Sequence, residues 1–194
     1  MIFARPVAHA LACSGELQFA GIELSAEADS GTLKHALQYL LMEIVSAAIP
    51  ERLAMERQLF EEYWQSFGFT PCFQNFAAEV AGLPGYYAPP AGRLALALAG
   101  GEPAGCVALR PLDHSRAEAK RLYVRPQFRG RGAGLALLQW VIGEARTAGY
   151  REMLGDTMPV MRRALAMYER LGFEQTGPYM PDATPGAIYL RLLL

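Results

Sequence analysis

Three glycines at alternate positions constrain this chain more than any other feature of its sequence. Gly130, Gly132 and Gly134 alternate with Arg131 in the stretch RGRGAGLALL, which begins at Arg129 and continues into an apolar run. Glycine destabilises regular structure because its unfolded chain has so much conformational freedom to lose. A cluster of glycines at a helix start therefore predicts a tight loop with special backbone angles or with room for a ligand.

Such a loop is suited to binding an anion. The first backbone N–H groups of a helix have no partner within the helix, and the helix dipole adds partial positive charge at the same end. Glycines let a bulky phosphate approach these N–H groups, and arginine side chains add charge around it. We interpret the cluster as a cradle for pyrophosphate; a plain glycine-rich turn is the alternative.

The sequence lacks the signatures of several other sites. A dinucleotide-binding G-x-G-x-x-G needs glycine three positions after Gly132, where Leu135 stands, and no G-K-S/T follows as in a Walker loop. The cysteines and histidines lack zinc-ligand spacing, and there is no G-x-S-x-G elbow of a serine hydrolase. We therefore expect neither a metal site nor serine-hydrolase chemistry.

Beyond the loop, the pattern predicts a mixed α/β protein. From Met42 onward the predicted order is strand, two helices, three strands, helix, strand, helix and two strands. Proline and glycine mark several element ends: Pro50 lies in the first turn of the first helix, and Gly149 and Gly172 follow the later helices. This order differs from the regular strand–helix alternation of a dinucleotide-binding domain.

Composition and charge narrow the class of protein. The 194 residues, 52% hydrophobic and 19% charged, suit one folded domain with a sizeable core. The net charge is −1, but residues 110–174 carry +5 and the remainder −6, which favours a small anionic ligand over nucleic acid. Three widely spaced cysteines are typical of a reduced cytoplasmic protein. No apolar run reaches the roughly 18 residues of a membrane span.

Two segments resemble signatures of the GNAT family, the Gcn5-related N-acetyltransferases. KRLYVRPQFRGRGAGLALL resembles the acetyl-CoA-binding signature, whose pattern Q/R-x-x-G-x-G/A is met by Arg129, Gly132 and Gly134. ALAMYERLGFEQTG resembles a second signature, in which a tyrosine, here Tyr168, precedes Leu-Gly-Phe. The two lie about 35 residues apart with a predicted strand between them, and this combination is much more specific than either signature alone.

The resemblance covers residues 42–194 and implies the fold of the family. That fold is α/β (α+β), with a mixed, mostly antiparallel central sheet of about six or seven strands flanked by about four helices. Residues 1–41 lie outside the resemblance and are predicted to form a poorly ordered N-terminal extension of unknown role. Because Met42 begins the first predicted strand of the domain, it is also a candidate for the true first residue.

The resemblance also implies an acetyl-CoA site. In the family, two neighbouring strands splay apart, and the pantetheine arm bonds to the first of them as an extra strand would. Here the main-chain groups of Leu122, Tyr123 and Val124 would bind pantetheine. The residues of the loop would hold the pyrophosphate through backbone N–H groups, and they are Arg129, Gly130, Arg131, Gly132, Ala133 and Gly134.

The implied reaction is direct attack of an amine on the acetyl carbonyl in a ternary complex. Most of the rate acceleration then comes from holding the two reactants in line. The departing thiolate benefits from a proton. Tyr168 is the predicted acid, because a phenol stays protonated at neutral pH. The alternative is a core aromatic, since Tyr168 shares a helical stripe with Leu165 and Leu171.

Glu118 is the predicted base, because the amine must lose a proton and a partly buried carboxylate on this strand could accept it. An exposed carboxylate paired with Lys120 or Arg121 is the alternative. Alternation places Glu118, Lys120, Leu122 and Val124 on one face of the strand unless a bulge intervenes. Two weaker candidates for the base are Tyr123 and Asp156.

The predicted acceptor is a small-molecule or peptide amine, which the sequence does not identify. A GNAT-fold module that binds CoA without catalysis, or that regulates a partner, is the alternative function. The loop around Tyr86 and Tyr87 is a candidate rim for the acceptor pocket. The C-terminal stretch IYLRLLL is a candidate strand for pairing in a homodimer.

Overall fold

The structure, a computed structural model, describes two parts of the chain that form separate units, Met1–Leu41 and Met42–Leu194. The described residues are 18–19, 22–23, 42–66, 76–181 and 183–194. In the first unit, strands β1 (Gln18–Phe19) and β2 (Ile22–Glu23) pair antiparallel. The rest of the predicted N-terminal extension lies outside the described residues.

The second unit has the order of elements that the sequence predicts. Its strands are β3 (Met42–Ser46), β4 (Arg93–Ala99), β5 (Glu102–Pro111), β6 (Arg116–Val124), β7 (Glu152–Thr157), β8 (Glu174–Thr176) and β9 (Ile188–Leu193). Its described α-helices are α1 (Pro50–Gln65), α2 (Phe76–Ala81), α3 (Ala133–Thr147) and α4 (Arg162–Arg170). The predicted fold class is confirmed.

The seven strands form one mixed sheet in the order β3-β4-β5-β6-β7-β9-β8. Neighbouring strands are antiparallel except β6 and β7, which are parallel. The pairing of β6 with β7 ends at Glu118 and Leu154, although β6 continues to Val124 and β7 to Thr157. The sheet therefore opens between its two central strands.

The C-terminal strand is an interior strand of this sheet. β9 pairs with β7 along its whole length and with β8 at Tyr189, Leu190 and Arg191. At these three residues both edges of the strand are occupied. They offer no free edge for the pairing between two copies that the sequence suggested.

Helices cover both faces of the sheet. Phe60 and Trp64 of α1 belong to a buried cluster that includes Leu94 and Leu96 of β4. Side chains alternate along a strand, so the intervening Ala95 faces the other side of the sheet. There α3 packs against β4, β5 and β6. Together the two helical layers bury the sheet core.

A β-bulge interrupts β6. Cys106 of β5 pairs with Tyr123, but two residues further along β5 Ala108 pairs with Lys120. Two residues of β6 therefore oppose a single residue of β5. Arg121 lies in the bulge with φ of 58°, which makes it the one non-glycine residue in the described ranges with a positive φ. Such a conformation costs about 1–3 kcal/mol and persists where the surroundings fix it.

The bulge changes which side chains of β6 share a face. Glu118 and Lys120 lie on the face toward α1, since Lys120 pairs with a residue of the buried α1 cluster. Tyr123 belongs to the same cluster, so the alternation has shifted by one residue. The shared face predicted for Glu118, Lys120, Leu122 and Val124 was conditional on an unbulged strand, and it ends at the bulge.

Two ion pairs, each with a buried arginine, fix the bulged strand to the helices. The Arg121 guanidinium donates to both carboxylate oxygens of Glu79, with Nε 2.8 Å from Oε1. Arg125 likewise makes two hydrogen bonds of 2.8 Å to Glu62. Burial opposes ionisation of Glu79, but the hydrogen bonds and charge of Arg121 outweigh it and lower the pKa of Glu79. Paired bonds of this kind also fix orientation, which explains how the strand keeps its shape.

The predicted rim loop divides into one core residue and one surface residue. Tyr87 is 2% exposed and donates a 2.6 Å hydrogen bond to Glu79. Its ring packs edge-to-face on Phe60. Tyr86 is 75% exposed. Of the two tyrosines, Tyr86 alone can contact a ligand, and Tyr87 instead supports the pair that holds the bulge.

Candidate active site

A cleft of about 870 Å³ opens beside the end of β6, between the glycine loop and helices α3 and α4. Eight of the nine residues predicted to bind acetyl-CoA line it, namely Leu122, Tyr123, Val124, Arg129, Gly130, Gly132, Ala133 and Gly134. Arg131 does not line it, and its guanidinium carbon lies 5.9 Å from the ring centroid of Phe128. The structure thus brings the two predicted groups, strand end and loop, to one opening.

The glycine loop has the conformation that its sequence predicts. Gly130 and Gly132 have φ of 80° and 84°, values that favour glycine. Gly132 caps α3, and its carbonyl accepts a 3.0 Å hydrogen bond from the N–H of Ala136. A Cβ atom added at either glycine would meet no atom within 4 Å, so the space beside the loop is open. The unpaired N–H groups at the start of α3 face an accessible region.

The end of β6 presents main-chain groups without a strand partner. Because pairing with β7 stops at Glu118, the later residues of β6 have one free edge toward β7. At the last of them, Val124, the carbonyl already accepts a 2.9 Å hydrogen bond from Nε of Arg129. Leu122 and Tyr123 are therefore the better placed of the three predicted pantetheine contacts.

A second, smaller cavity of about 70 Å³ lies where β6 and β7 diverge. It adjoins the cleft, because the two share lining residues: Tyr63, Leu122, Met161 and Ala164. Tyr168, from α4, lines this smaller cavity. A group entering the cleft along the free edge of β6 would reach the tyrosine through this junction.

Tyr168 combines the two interpretations that the sequence left open. Its side chain is 5% exposed, and the ring packs edge-to-face on Phe173 at 4.9 Å between centroids. Burial raises the pKa of the Tyr168 phenol, and the nearby Tyr63 and Asp156 raise it further. The hydroxyl is therefore a proton donor at neutral pH, even though the ring belongs to the core.

Glu118 is buried, and both oxygens of its carboxylate accept hydrogen bonds. It is 1% exposed and lines neither cavity. Its carboxylate accepts hydrogen bonds from Arg110 Nε at 2.5 Å, from Lys120 Nζ at 3.3 Å and from Tyr179 Oη at 2.8 Å. The expected pairing with Lys120 is present, but the carboxylate is not exposed as that alternative supposed.

Arg110 and Tyr179 were not predicted as partners of Glu118. Arg110 lies directly opposite Glu118 on β5, so the register of the hairpin could have indicated it. Tyr179 follows β8 and is 61 residues away in sequence, and no local pattern indicates such a contact. Burial and Glu118 together raise the pKa of the Tyr179 phenol, so this hydroxyl stays a donor to the carboxylate.

Asp156 is the one carboxylate among the described residues that line the smaller cavity. It comes from β7, and its side chain is 25% exposed. Its ion pair with Lys120 measures 3.8 Å, which is too long for a hydrogen bond. In contrast to Glu118, this carboxylate retains acceptor capacity toward the cavity.

Within the described ranges, no group of three or more histidine, cysteine, aspartate or glutamate side chains is arranged to hold a metal ion. None of the helices described there is long and apolar enough to cross a membrane. Cys106 is a free, buried thiol, and burial raises its pKa.

Comparison with known proteins identifies the family. The Acetyltransferase (GNAT) family profile matches residues 55–173, more than half of the chain. An uncharacterized N-acetyltransferase of Schizosaccharomyces pombe is 36% identical over 151 residues, which cover 77% of this chain and 93% of that protein. The IAA acetyltransferase of Azospirillum brasilense is 32% identical over 126 residues, covering 64% of this chain and 80% of that protein.

Solved structures share the fold. An acetyltransferase from Streptococcus agalactiae has a TM-score of 0.66 at 22% identity, over 79% of this chain and 98% of that one. A GNAT family acetyltransferase from Elizabethkingia anophelis, solved with acetyl-CoA bound, has a TM-score of 0.50 at 23% identity over 79% and 98%. The profile, the relatives and the fold agree, and the chain belongs to the GNAT family as an acetyltransferase.

Proposed function

We propose that this protein transfers the acetyl group of acetyl-CoA to the nitrogen of an amine by direct attack in a ternary complex. The observation that carries the proposal is that the cleft at the glycine loop adjoins the smaller cavity lined by Tyr168, with four lining residues in common. Binding of acetyl-CoA by the related fold from Elizabethkingia anophelis supports the choice of donor.

The residues of the cleft fit the donor. The N–H groups at the start of α3 and the loop glycines suit a pyrophosphate, since the loop is open and Arg129, Arg162 and Arg163 line the cleft. The free edge of β6 at Leu122 and Tyr123 suits an amide-bearing arm. Acetyl-CoA supplies the activated acyl group, and the chain itself supplies position and proton transfer.

Tyr168 is the proposed acid that protonates the departing thiolate. Tyr168 lines the smaller cavity, and burial raises the pKa of its phenol, so the proton is present at neutral pH. Glu118 is the proposed base for the acceptor nitrogen. Because Glu118 is buried and lines neither cavity, it would take the proton through an intervening water rather than by direct contact.

The direct test measures CoA release and acetyl-CoA binding in one preparation. We expect thiol release with at least one amine, and acetyl-CoA binding by titration calorimetry that does not require an amine. Binding without acetylation of any amine in a broad panel would favour the alternative, a non-catalytic CoA-binding or regulatory module. A cytoplasmic location and a homodimer stay predictions.

A further inference from the structure

We infer that the acceptor is a zwitterion, a free α-amino acid or a close analogue, bound through its ammonium at Asp156 and its carboxylate at Lys120. The inference rests on the proposed function, because it names the acceptor class for the same site. It follows from the charges around the smaller cavity and from the hydrogen-bonding capacity that these charges retain.

Three charged side chains line the smaller cavity, namely Lys120, Arg121 and Asp156, and the ion pairs that connect to them bring the two signs to equal number. The described cations are Arg110, Lys120 and Arg121, and the described carboxylates are Glu79, Glu118 and Asp156. A site for a polyamine or another polycation would need an excess of carboxylates. Equal numbers favour a ligand without net charge, and a zwitterion meets this condition.

Most of these groups already satisfy one another. Arg121 and Glu79 form a two-bond ion pair. The carboxylate of Glu118 accepts from three donors, one of which is Arg110. These four side chains are therefore poorly placed to exchange their partners for a ligand, since breaking a buried ion pair is strongly destabilising.

Lys120 and Asp156 are different. Both line the smaller cavity, and 3.8 Å separates Nζ from Oδ1. The ammonium of Lys120 has three N–H groups and makes one 3.3 Å hydrogen bond, to Glu118. The carboxylate of Asp156 has acceptor capacity to spare. A cation and an anion thus lie side by side, each able to form a further charge-assisted hydrogen bond.

This arrangement is complementary to an amino group and a carboxylate on one carbon atom. An α-amino acid would exchange one long ion pair for two short charge-assisted hydrogen bonds. An amine without a carboxylate could also bind Asp156, but its ammonium would approach the Lys120 cation with no carboxylate of its own to offset the repulsion, which is unfavourable. The site should therefore discriminate between an amino acid and the amine that lacks its carboxylate.

The test compares matched acceptors that differ by the carboxylate. Trp64, Met158 and Met161 also line the cavity, so apolar probes are suitable. The pairs are L-methionine with 3-(methylthio)propylamine and L-phenylalanine with 2-phenylethylamine, with spermidine as a polycation. We expect kcat/KM of the full-length wild-type protein to favour the amino acid by at least about tenfold in at least one pair, and over spermidine.

Two variants assign the preference to its residues. Lys120→Met should bring the ratio of kcat/KM within a pair close to one, because it removes the cation that recognises the carboxylate. Arg116→Met is the matched control, since Arg116 lies on the same strand, pairs with Asp113 and lines neither cavity. This control should keep the wild-type ratio.

Equal kcat/KM within both pairs, faster turnover of spermidine, or acetylation of no member of either pair would overturn the inference. A preference that survives in Lys120→Met would overturn it as well. The wild-type ratio needs no variant, so it decides the question even if Lys120→Met does not fold. Acetylation of simple amines without preference would leave the proposed function intact. A wild-type protein that does not bind acetyl-CoA would contradict both the proposed function and the inference about the acceptor.

Discussion

At the scale of single residues, a substitution at Tyr168 distinguishes an effect on the rate of acetyl transfer from an effect on acetyl-CoA binding. Its ring packs on Phe173 and the residue lines the smaller cavity, so Tyr168→Phe keeps the packing and removes the proposed proton donor. We expect kcat to fall about 100-fold while the Kd of acetyl-CoA stays nearly constant. Stopped-flow or steady-state thiol release and titration calorimetry measure the two quantities.

The pH dependence of kcat gives the same residue a second readout. Because burial raises the pKa of Tyr168, its protonated form persists through mildly alkaline pH, and kcat should not decline there through loss of this proton. Tyr150→Phe is the control, since the Tyr150 hydroxyl donates to Ala91 and lines neither cavity. An unchanged kcat in Tyr168→Phe would remove the acid role.

The two carboxylates near Lys120 should differ in the kinetic constant that they affect. Glu118→Gln is expected to lower kcat about 100-fold, because the proposed base is lost. Asp156→Asn is expected to act chiefly on the KM of the acceptor, because it weakens the contact with the ammonium. The reverse pattern would make Asp156 the base and leave Glu118 to position Lys120.

At the scale of elements, the loop before α3 offers a matched pair of glycines. Gly132 has φ of 84°, so Gly132→Val strains the backbone and places a side chain in the open space beside the loop. Gly134 lies in the helix, and a Cβ there would meet Met167 at 3.4 Å. Gly134→Ala should therefore be tolerated, as the G/A alternative of the signature allows.

We expect Gly132→Val to weaken acetyl-CoA binding at least about tenfold and Gly134→Ala to change it far less, since each L residue in a left-handed conformation costs about 1–2 kcal/mol before any steric conflict. Titration calorimetry measures both. Equal affinities in wild type and Gly132→Val would mean that the pyrophosphate lies elsewhere. Gly143→Ala on the exposed face of α3 is a helix control that should not affect binding.

Helix α1 carries a buried acid that the proposed mechanism does not use. Glu56 is fully buried, and neither carboxylate oxygen has a hydrogen-bond partner among the described residues. Burial raises its pKa well above the ordinary value. We expect Glu56→Met, of similar size, to raise the free energy of unfolding by about 1–3 kcal/mol at neutral pH, because it removes an unsatisfied buried polar group.

The gain should depend on pH with a defined sign. Above the unfolded pKa of about 4.3 and below the raised folded pKa, the folded wild type binds more protons than the unfolded chain. The free energy of unfolding of the wild type therefore falls as pH rises through this window, and Glu56→Met does not show this fall. The stabilisation by Glu56→Met should be larger at pH 7.5 than at pH 5, which urea unfolding at both pH values measures. A gain of equal size at both pH values would mean that Glu56 has an unseen partner.

The elements were predictable where local chemistry marks their ends. Pro50 begins α1, Gly132 caps α3 and Gly172 follows α4 as the sequence indicates. The bulge at Arg121 was not predictable, because it depends on a partner strand and on Glu79, 42 residues earlier in sequence. Glu56 escaped notice because its burial is set by the sheet beneath α1 and not by its neighbours in sequence.

At the scale of the whole molecule, both cavities follow from one irregularity of the sheet. The parallel pairing of β6 with β7 stops early, so the loop after β6 and the start of α4 can line the same opening. The bulge then shifts the alternation of side chains along the part of β6 that borders this opening. The glycine signature could therefore be read from the sequence, whereas the charged acceptor side needed the three-dimensional arrangement of β5, β6, β7 and the segment after β8.

All lining residues of both cavities belong to the unit Met42–Leu194. That unit also contains the complete seven-stranded sheet. We propose that residues 42–194 are a self-sufficient acetyltransferase domain and that residues 1–41 are an extension.

A chain that begins at Met42 should unfold cooperatively and bind acetyl-CoA with the Kd of the full chain, because no described contact of either cavity is lost. Thermal unfolding and titration calorimetry on both chains measure this. Removal of residues 1–17 alone is the control for a general effect of shortening. If the chain that begins at Met42 unfolds without cooperativity but the chain that lacks only residues 1–17 unfolds cooperatively, residues 18–41 are part of the folded domain. The boundary at Met42 is then wrong.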